Sequence, residues 1–406
     1  MKMIRLLTVF ALIFGLMFVI GCETKAPDET PEEALEEVPG VTADEILIGT
    51  TGPLTGPANA WGAVQRAMET YFEAINAEGG INGRKLRLII LDDGYSPPNA
   101  LTNVKKLVEE EKVFAIVGVL GAANVEAVKD YIDESDVPWI GVIGGNRSIS
   151  EPPIDNVFVG YPQYYLGAQV LVNYAVKDLD TKTLGVFYQN DEFGGDGLAG
   201  AEKACKDLGI ELVAMVPYEI SDTDFSTHAL KMKEANPDAV LIYGTPRHSA
   251  LFVGTCAKME FLPQWLGTSA ISDPVMIKLL GKAWDGAIVA TFAPNPHGDT
   301  EGAKWYREML EAHADSDVDK ALGTFTMAGF FFAEYLVEGL KRVEGPLTRE
   351  ALIDSMNSFE NVSGQFIHDV TYTKKDHRGQ ISFFLMKANA ETVELETISE
   401  WLYPAD

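Results

Sequence analysis

Three sets of residues in this chain have the type and spacing that chemistry uses. Gly195, Gly197 and Gly200 form a literal G-x-G-x-x-G within QNDEFGGDGLAG (residues 189–200), and the acidic Glu219 follows at the distance of a ribose-binding carboxylate. Asp92 and Asp93 form an adjacent carboxylate pair. His228, His248, His297 and His313 are potential bases or metal ligands. Each set meets a physical objection. In a dinucleotide fingerprint the first glycine follows the strand end almost at once, whereas residues 189–194 intervene here, and Asp196 places negative charge where a pyrophosphate would lie. Neighbours on a strand point to opposite faces, so Asp92 and Asp93 do not share one site simply. No G-x-S-x-G elbow or H-E-x-x-H motif supplies the histidines with partners, and the 6 histidines are scattered without metal-ligand spacing. We therefore expect no enzyme, no cofactor and no metal. The glycines are expected to let the chain turn tightly into a helix and aim Phe193 into a cleft.

The elements that must position these residues alternate regularly. EILIGTT, KLRLIILDD, VFAIVGVL and PWIGVIGG read as strands separated by helices at residues 60–77, 99–111 and 124–134. The rhythm restarts with a helix at 163–177, then TLGVFY, a helix at 197–208 and ELVAMVPY. A helix at 225–235, DAVLIYG, a helix at 248–260, PQWLGTS, a short helix near 273–280 and GAIVATF follow. Near-continuous apolar strands between helices mean parallel sheets covered on both faces. Beyond residue 294 come helices at 302–314, 318–343 and 349–358, then the β-like QFIHDVTYT and QISFFLMKA. The fold class is α/β, with two doubly wound parallel-sheet lobes and a tail long enough to complete both.

Ligands of open α/β sheets sit beyond the carboxyl ends of the strands. The segments there are residues 51–60, 92–97, 120–124 and 143–147 in the first lobe, and 189–195, 244–248 and 268–272 in the second. They are rich in Gly, Ala, Ser and Thr. Helix starts of this kind offer backbone N–H groups to a small polar or anionic group.

At 406 residues the chain has room for two cores, and its 47% hydrophobic content is ordinary. Its formal charge of −28 repels nucleic acid and excludes that class of partner. Lys2 and Arg5 precede an apolar run at residues 6–20 and then Val-Ile-Gly-Cys ending at Cys22, a signal similar to that of bacterial lipoproteins. Cys22 is the expected lipidation site, making residues 1–21 the signal and anchoring the protein to the cell membrane outside the cytoplasm, in a periplasm or at the cell surface. An uncleaved anchor and an ordinary secretory signal are the alternatives. Residues 22–42 are acidic and Pro-rich, a flexible tether. Cys205 and Cys256 fall on helices covering opposite faces of one sheet and are expected to stay unpaired.

The strand-end segments resemble a known family. GTTGPLTGPANAWGAVQRAMETYFEAINAEGGINGRKLRLIILDDGYSPPNAL, followed in order by VGVLGAANVEAV, VPWIGVIGG, VFYQNDEFGGDGLAG and PDAVLIYG, is similar to the extracellular solute-binding proteins of the branched-chain amino acid type. The resemblance covers residue 44 to the C-terminus. It implies a type I periplasmic-binding fold, two lobes that close around a small solute and deliver it to an ABC permease. Three crossovers would lie near residues 159–162, 293–296 and 364–367. The first lobe would then hold residues 43–160 and 296–365, the second 161–295 and 366–406.

The family's site positions carry over unevenly. Trp61 and Phe193 match aromatic positions against the ligand. Leu120, Gly121 and Ala122, with Ile143, Gly144 and Gly145, match loops that in amino-acid binders supply hydroxyls and a carbonyl, but the hydroxyls are missing here. Ser269 matches the carboxylate that pairs with an α-ammonium and is uncharged. Tyr161, Tyr243, Thr245 and Phe325 are further candidates, chosen for standing at a crossover, at strand ends or on the returning segment. Arg147 or Arg247 could pair with a ligand carboxylate, or could be solvated at a loop edge. The implied solute is polar, aromatic or an organic acid in the amino-acid-like class rather than a branched-chain amino acid itself. A ligand sensor of the same fold acting through a separate partner is the alternative function.

Overall fold

The computed structural model describes residues 38–316 and 319–404; the expected signal, Cys22 and the tether up to residue 37 lie outside them. The first half of the chain alternates β1 (Glu45–Gly52), α1 (Ala63–Ala77), β2 (Lys85–Asp92), α2 (Pro97–Glu109), β3 (Ala115–Val117), α3 (Ala122–Asp133), β4 (Trp139–Val142) and β5 (Val157–Val159). These strands form one parallel sheet in the order β2-β1-β3-β4-β5. Every residue of β1 after the first is buried, because helices cover both faces, and that is why its sequence is a run rather than an alternation.

The second lobe continues with α4 (Tyr164–Asp178), β6 (Thr183–Gln189), α5 (Glu192–Leu208), β7 (Glu211–Tyr218), α6 (Ser226–Ala235), β8 (Ala239–Tyr243), α7 (Pro246–Lys258), β9 (Gln264–Gly267), α8 (Pro274–Leu280) and β10 (Ile288–Thr291). The tail adds α9 (Glu301–His313), α10 (Thr324–Lys341), α11 (Arg349–Asn357), β11 (Thr371–Thr373), β12 (Asp376–Gly379), β13 (Phe384–Asn389) and β14 (Glu394–Thr397). β13 and β14 join antiparallel to β10, giving a seven-stranded sheet in the order β14-β13-β10-β9-β8-β6-β7.

The tail divides later than the sequence suggests. The β11–β12 ribbon stays with the first lobe: Tyr372 Oη donates to the Val159 carbonyl at 2.6 Å, and the His377 ring meets the Ile154 and Val157 carbonyls. The third passage therefore runs through residues 380–383, downstream of 364–367. That earlier segment is instead an anchor. Glu334 on α10, 3% exposed, accepts N–H bonds from Gln365, Phe366 and Ile367 at 2.8 Å each.

The glycine motif lies inside a helix rather than at a turn, and two of its three glycines serve packing. α5 begins at Glu192, five residues before the expected start at 197, with Asp191 capping Phe193 N and Gly194 N. Gly195, Gly197 and Gly200 all lie inside the helix. A Cβ at Gly197 or Gly200 would strike the Tyr243 ring or the Tyr165 carbonyl, and one at the neighbouring Gly194 the Gln189 carbonyl, whereas a Cβ at Gly195 would meet nothing. Glycine at 197 and 200 lets α5 close onto β8 and α4. Cys205 and Cys256 are buried and unpaired, in cores on opposite faces of the second sheet.

Candidate functional site

The carboxyl ends of both sheets face each other across one cavity, with about 550 Å³ of empty space that is partly open to solvent. Trp61 enters it from the short turn after β1, its ring edge-on to Tyr95 at 5.4 Å. Its Nε1–H donates to the Ala270 carbonyl of the other lobe at 2.9 Å, so one side chain both walls the cavity and holds it shut. Phe193, two residues into α5, packs edge-on to Tyr164 at 4.8 Å. Tyr161 lies parallel to Phe332 and hydrogen-bonds through its hydroxyl to Ser269 Oγ.

Of the residues expected from sequence, the structure brings Trp61, Leu120, Gly121, Ile143, Tyr161, Phe193, Ser269 and Phe325 together around this cavity. Five others stand outside it. Ala122 is the buried first residue of α3. Gly144 and Gly145 are close-approach positions, where a Cβ would press on Val125 and on the Pro162 carbonyl. Tyr243 lies behind Phe193 and donates its hydroxyl to the Tyr164 carbonyl at 2.6 Å. Thr245 caps α7 and bonds His248 Nδ1 at 2.6 Å. Arg147 is committed elsewhere as well: its guanidinium and backbone N–H grip Asp196 across the lobes at 2.7–2.9 Å, and it stacks on Tyr165. Arg247 is exposed on the first turn of α7.

Several wall residues were not singled out by sequence: Tyr95, Tyr164, Thr291, Phe292, Ala293, Thr324 and Phe332. The strand-end rule applied to β10 finds Thr291, Phe292 and Ala293. Tyr95 sits in an inspected loop, but its left-handed backbone (φ 62°), which turns the ring toward Trp61, has no sequence signature.

Eight of the 18 lining residues are aromatic (Trp61, Tyr95, Tyr161, Tyr164, Phe193, Phe292, Phe325 and Phe332), and none carries a charge. Burial raises the Tyr161 and Tyr164 hydroxyls well above their ordinary value, so both stay neutral. Two helix starts near the cavity are already filled by protein carboxylates. Asp191 caps α5; Asp273 caps α8 and also accepts the α10 N–H of Phe325 at 3.2 Å. The Asp92–Asp93 pair is split by environment. Burial pushes Asp93 up to about 6, against bonds from Tyr95 N–H and the Thr51 hydroxyl. Asp92 sits below its ordinary value: burial opposes this, but the Thr55 hydroxyl and the N–H groups of Gly94, Thr55 and Leu54 prevail.

A concave, largely apolar cavity at the carboxyl ends of two sheets, with no charged side chain in its wall, has the make-up of a small-molecule binding site. The chain belongs to the periplasmic binding protein family, whose model matches residues 45–392. It is similar to a leucine-, isoleucine-, valine-, threonine- and alanine-binding protein of Pseudomonas aeruginosa, 23% identical over 81% of this chain and 87% of the relative. Among solved structures, it superposes on a branched-chain amino acid ABC transporter protein of Thermus thermophilus with bound valine (TM-score 0.82, 19% identity, 90% of this chain and 98% of that one). It also superposes on a fatty acid ABC transporter substrate-binding protein of Thermomonospora curvata (TM-score 0.78, 22% identity, 90% and 94%). The two-lobed type I fold is thus established. The family implies work outside the cytoplasm, and among the described residues no helix is long and apolar enough to cross a membrane.

Proposed function

We propose that this protein captures a small solute with an aromatic or branched apolar body and no α-ammonium group, and passes it to an ABC permease. The observation that carries the reading is the cavity wall, rich in aromatic rings and without a charged side chain. An α-amino acid would bury its ammonium against Ser269, whose hydroxyl is already engaged with Tyr161. Leaving a charged group short of partners costs about 1–3 kcal/mol or more. The names of the relatives support a solute-binding role, and they include both an amino acid and a fatty acid binder.

Titration of the protein with benzamide, phenylacetate and L-leucine, followed by tryptophan fluorescence, tests the solute class. Saturable binding of an aromatic probe with no response to L-leucine is expected; tight L-leucine binding contradicts the reading. The lipid anchor is a separate proposal resting on Cys22. Cys22→Ala should move the protein from the membrane fraction to the soluble one, and retention at the membrane would remove that proposal.

A further inference from the structure

A second, smaller recess lies behind the cleft in the second lobe, with room for about one water- or hydroxyl-sized group. Tyr161, Tyr164 and Ser269 line both spaces and so form the partition between them. Most polar groups around the rear recess are committed. Tyr161 and Ser269 bond each other, Tyr243 bonds the Tyr164 carbonyl, and the Gln163 amide donates to Ser150 and Glu151. Thr268 is different. It lines the recess, is 5% exposed, and its buried Oγ1 has no hydrogen-bond partner. It precedes the short turn Ser269–Ile271 without capping it through its side chain. A buried hydroxyl left unpaired is a cost that valine, of the same shape, would not carry. The cleft holds a matching feature on the neighbouring strand: Thr291, at the end of β10, lines the main cavity, is fully buried, and its Oγ1 is also without a partner.

We infer that the rear recess is a ligand subsite, and that the solute carries a hydrogen-bonding group at each end of an apolar ring. One group meets Thr291 in the cleft. The other passes the partition, displaces the Tyr161–Ser269 contact and meets Thr268. The solute class is therefore a ring-hydroxylated aromatic alcohol or amide and not a bare ring. This rests on the reading of the cleft as an aromatic-solute site.

Benzyl alcohol and 4-hydroxybenzyl alcohol separate the two claims, since they differ only in the ring hydroxyl. Calorimetric titration of the wild-type protein should give about tenfold tighter binding of the hydroxylated probe. Thr268→Val should bind both probes with the wild-type affinity for benzyl alcohol, and Thr268→Ser should keep the preference. A preference that survives Thr268→Val overturns the subsite, as does equal weakening of both probes. Wild-type protein that binds the probes equally overturns the subsite alone. Failure of both probes to bind wild-type protein overturns the cleft reading and the subsite with it.

Discussion

The wall of the cleft holds hydroxyls and aromatic rings, while the frame a few residues away holds buried carboxylates. Glu334 accepts three backbone N–H groups, Asp273 ties the start of α8 to that of α10, and Asp191 caps α5. Burial raises all three carboxyls above their ordinary values, and the N–H donors pull in the opposite direction. A buried carboxylate is tolerable only when such donors surround it. The contrast separates two jobs. Where the backbone must be held, charge is buried and given partners. Where the two sheets face each other across the cavity, the wall is kept neutral, with no charged side chain among its lining residues.

The largest expected effect tests the frame. Glu334→Ala leaves the N–H groups of residues 365–367 without their acceptor and should lower unfolding stability by about 3 kcal/mol in chemical denaturation. Its pH signature follows from burial, which pushes the Glu334 carboxyl from 4.5 up to about 7. The folded state then holds the proton more tightly than the unfolded one. Stability from this group is full below pH 4.5 and is lost as pH rises through 7, about 3 kcal/mol in all. The wild-type curve should fall across that window and the Glu334→Ala curve should be flatter; parallel curves would remove Glu334 as the titrating group.

The next effect tests the wall. Trp61→Ala deletes a ring face and the N–H bond to Ala270, so an aromatic probe should bind roughly 30-fold more weakly, about 2 kcal/mol. The unfolding midpoint should move little by comparison. A binding constant unchanged by this substitution would take Trp61 out of the site. The smallest effect tests the rim between wall and frame. Arg147→Ala breaks the grip on Asp196 across the lobes, but the Arg147 side chain is 39% exposed and screened by solvent. Probe binding should weaken only about twofold, and less at high salt. A tenfold loss would show that closure depends on this pair far more than its exposure suggests.

Most strands could be read because burial on both faces writes them as apolar runs; β1, β6 and β8 are examples. β5, three residues long, and β14, mostly exposed, carry no such signal. The strand-end rule finds Trp61 and Phe193 because chain order alone places them. It cannot find Thr324 or Phe332, which reach the cavity only because α10 returns from the tail and packs against the first lobe. Nor does it tell Gly144 and Gly145 from their neighbours, since local sequence does not show whether a loop glycine faces a ligand or another backbone. The G-x-G-x-x-G is the clearest case. Of the letters that cradle a pyrophosphate after a strand, the second and third glycines serve here, inside a helix, to bring α5 against Tyr243 and Tyr165.

Native mass spectrometry of the purified full-length protein, with any released small molecule identified after unfolding, tests the central claim most directly. The account predicts one aromatic or apolar compound per chain, without an α-ammonium group. A stoichiometric α-amino acid would contradict the inference drawn from the uncharged cavity and from Ser269, while leaving the fold and family untouched.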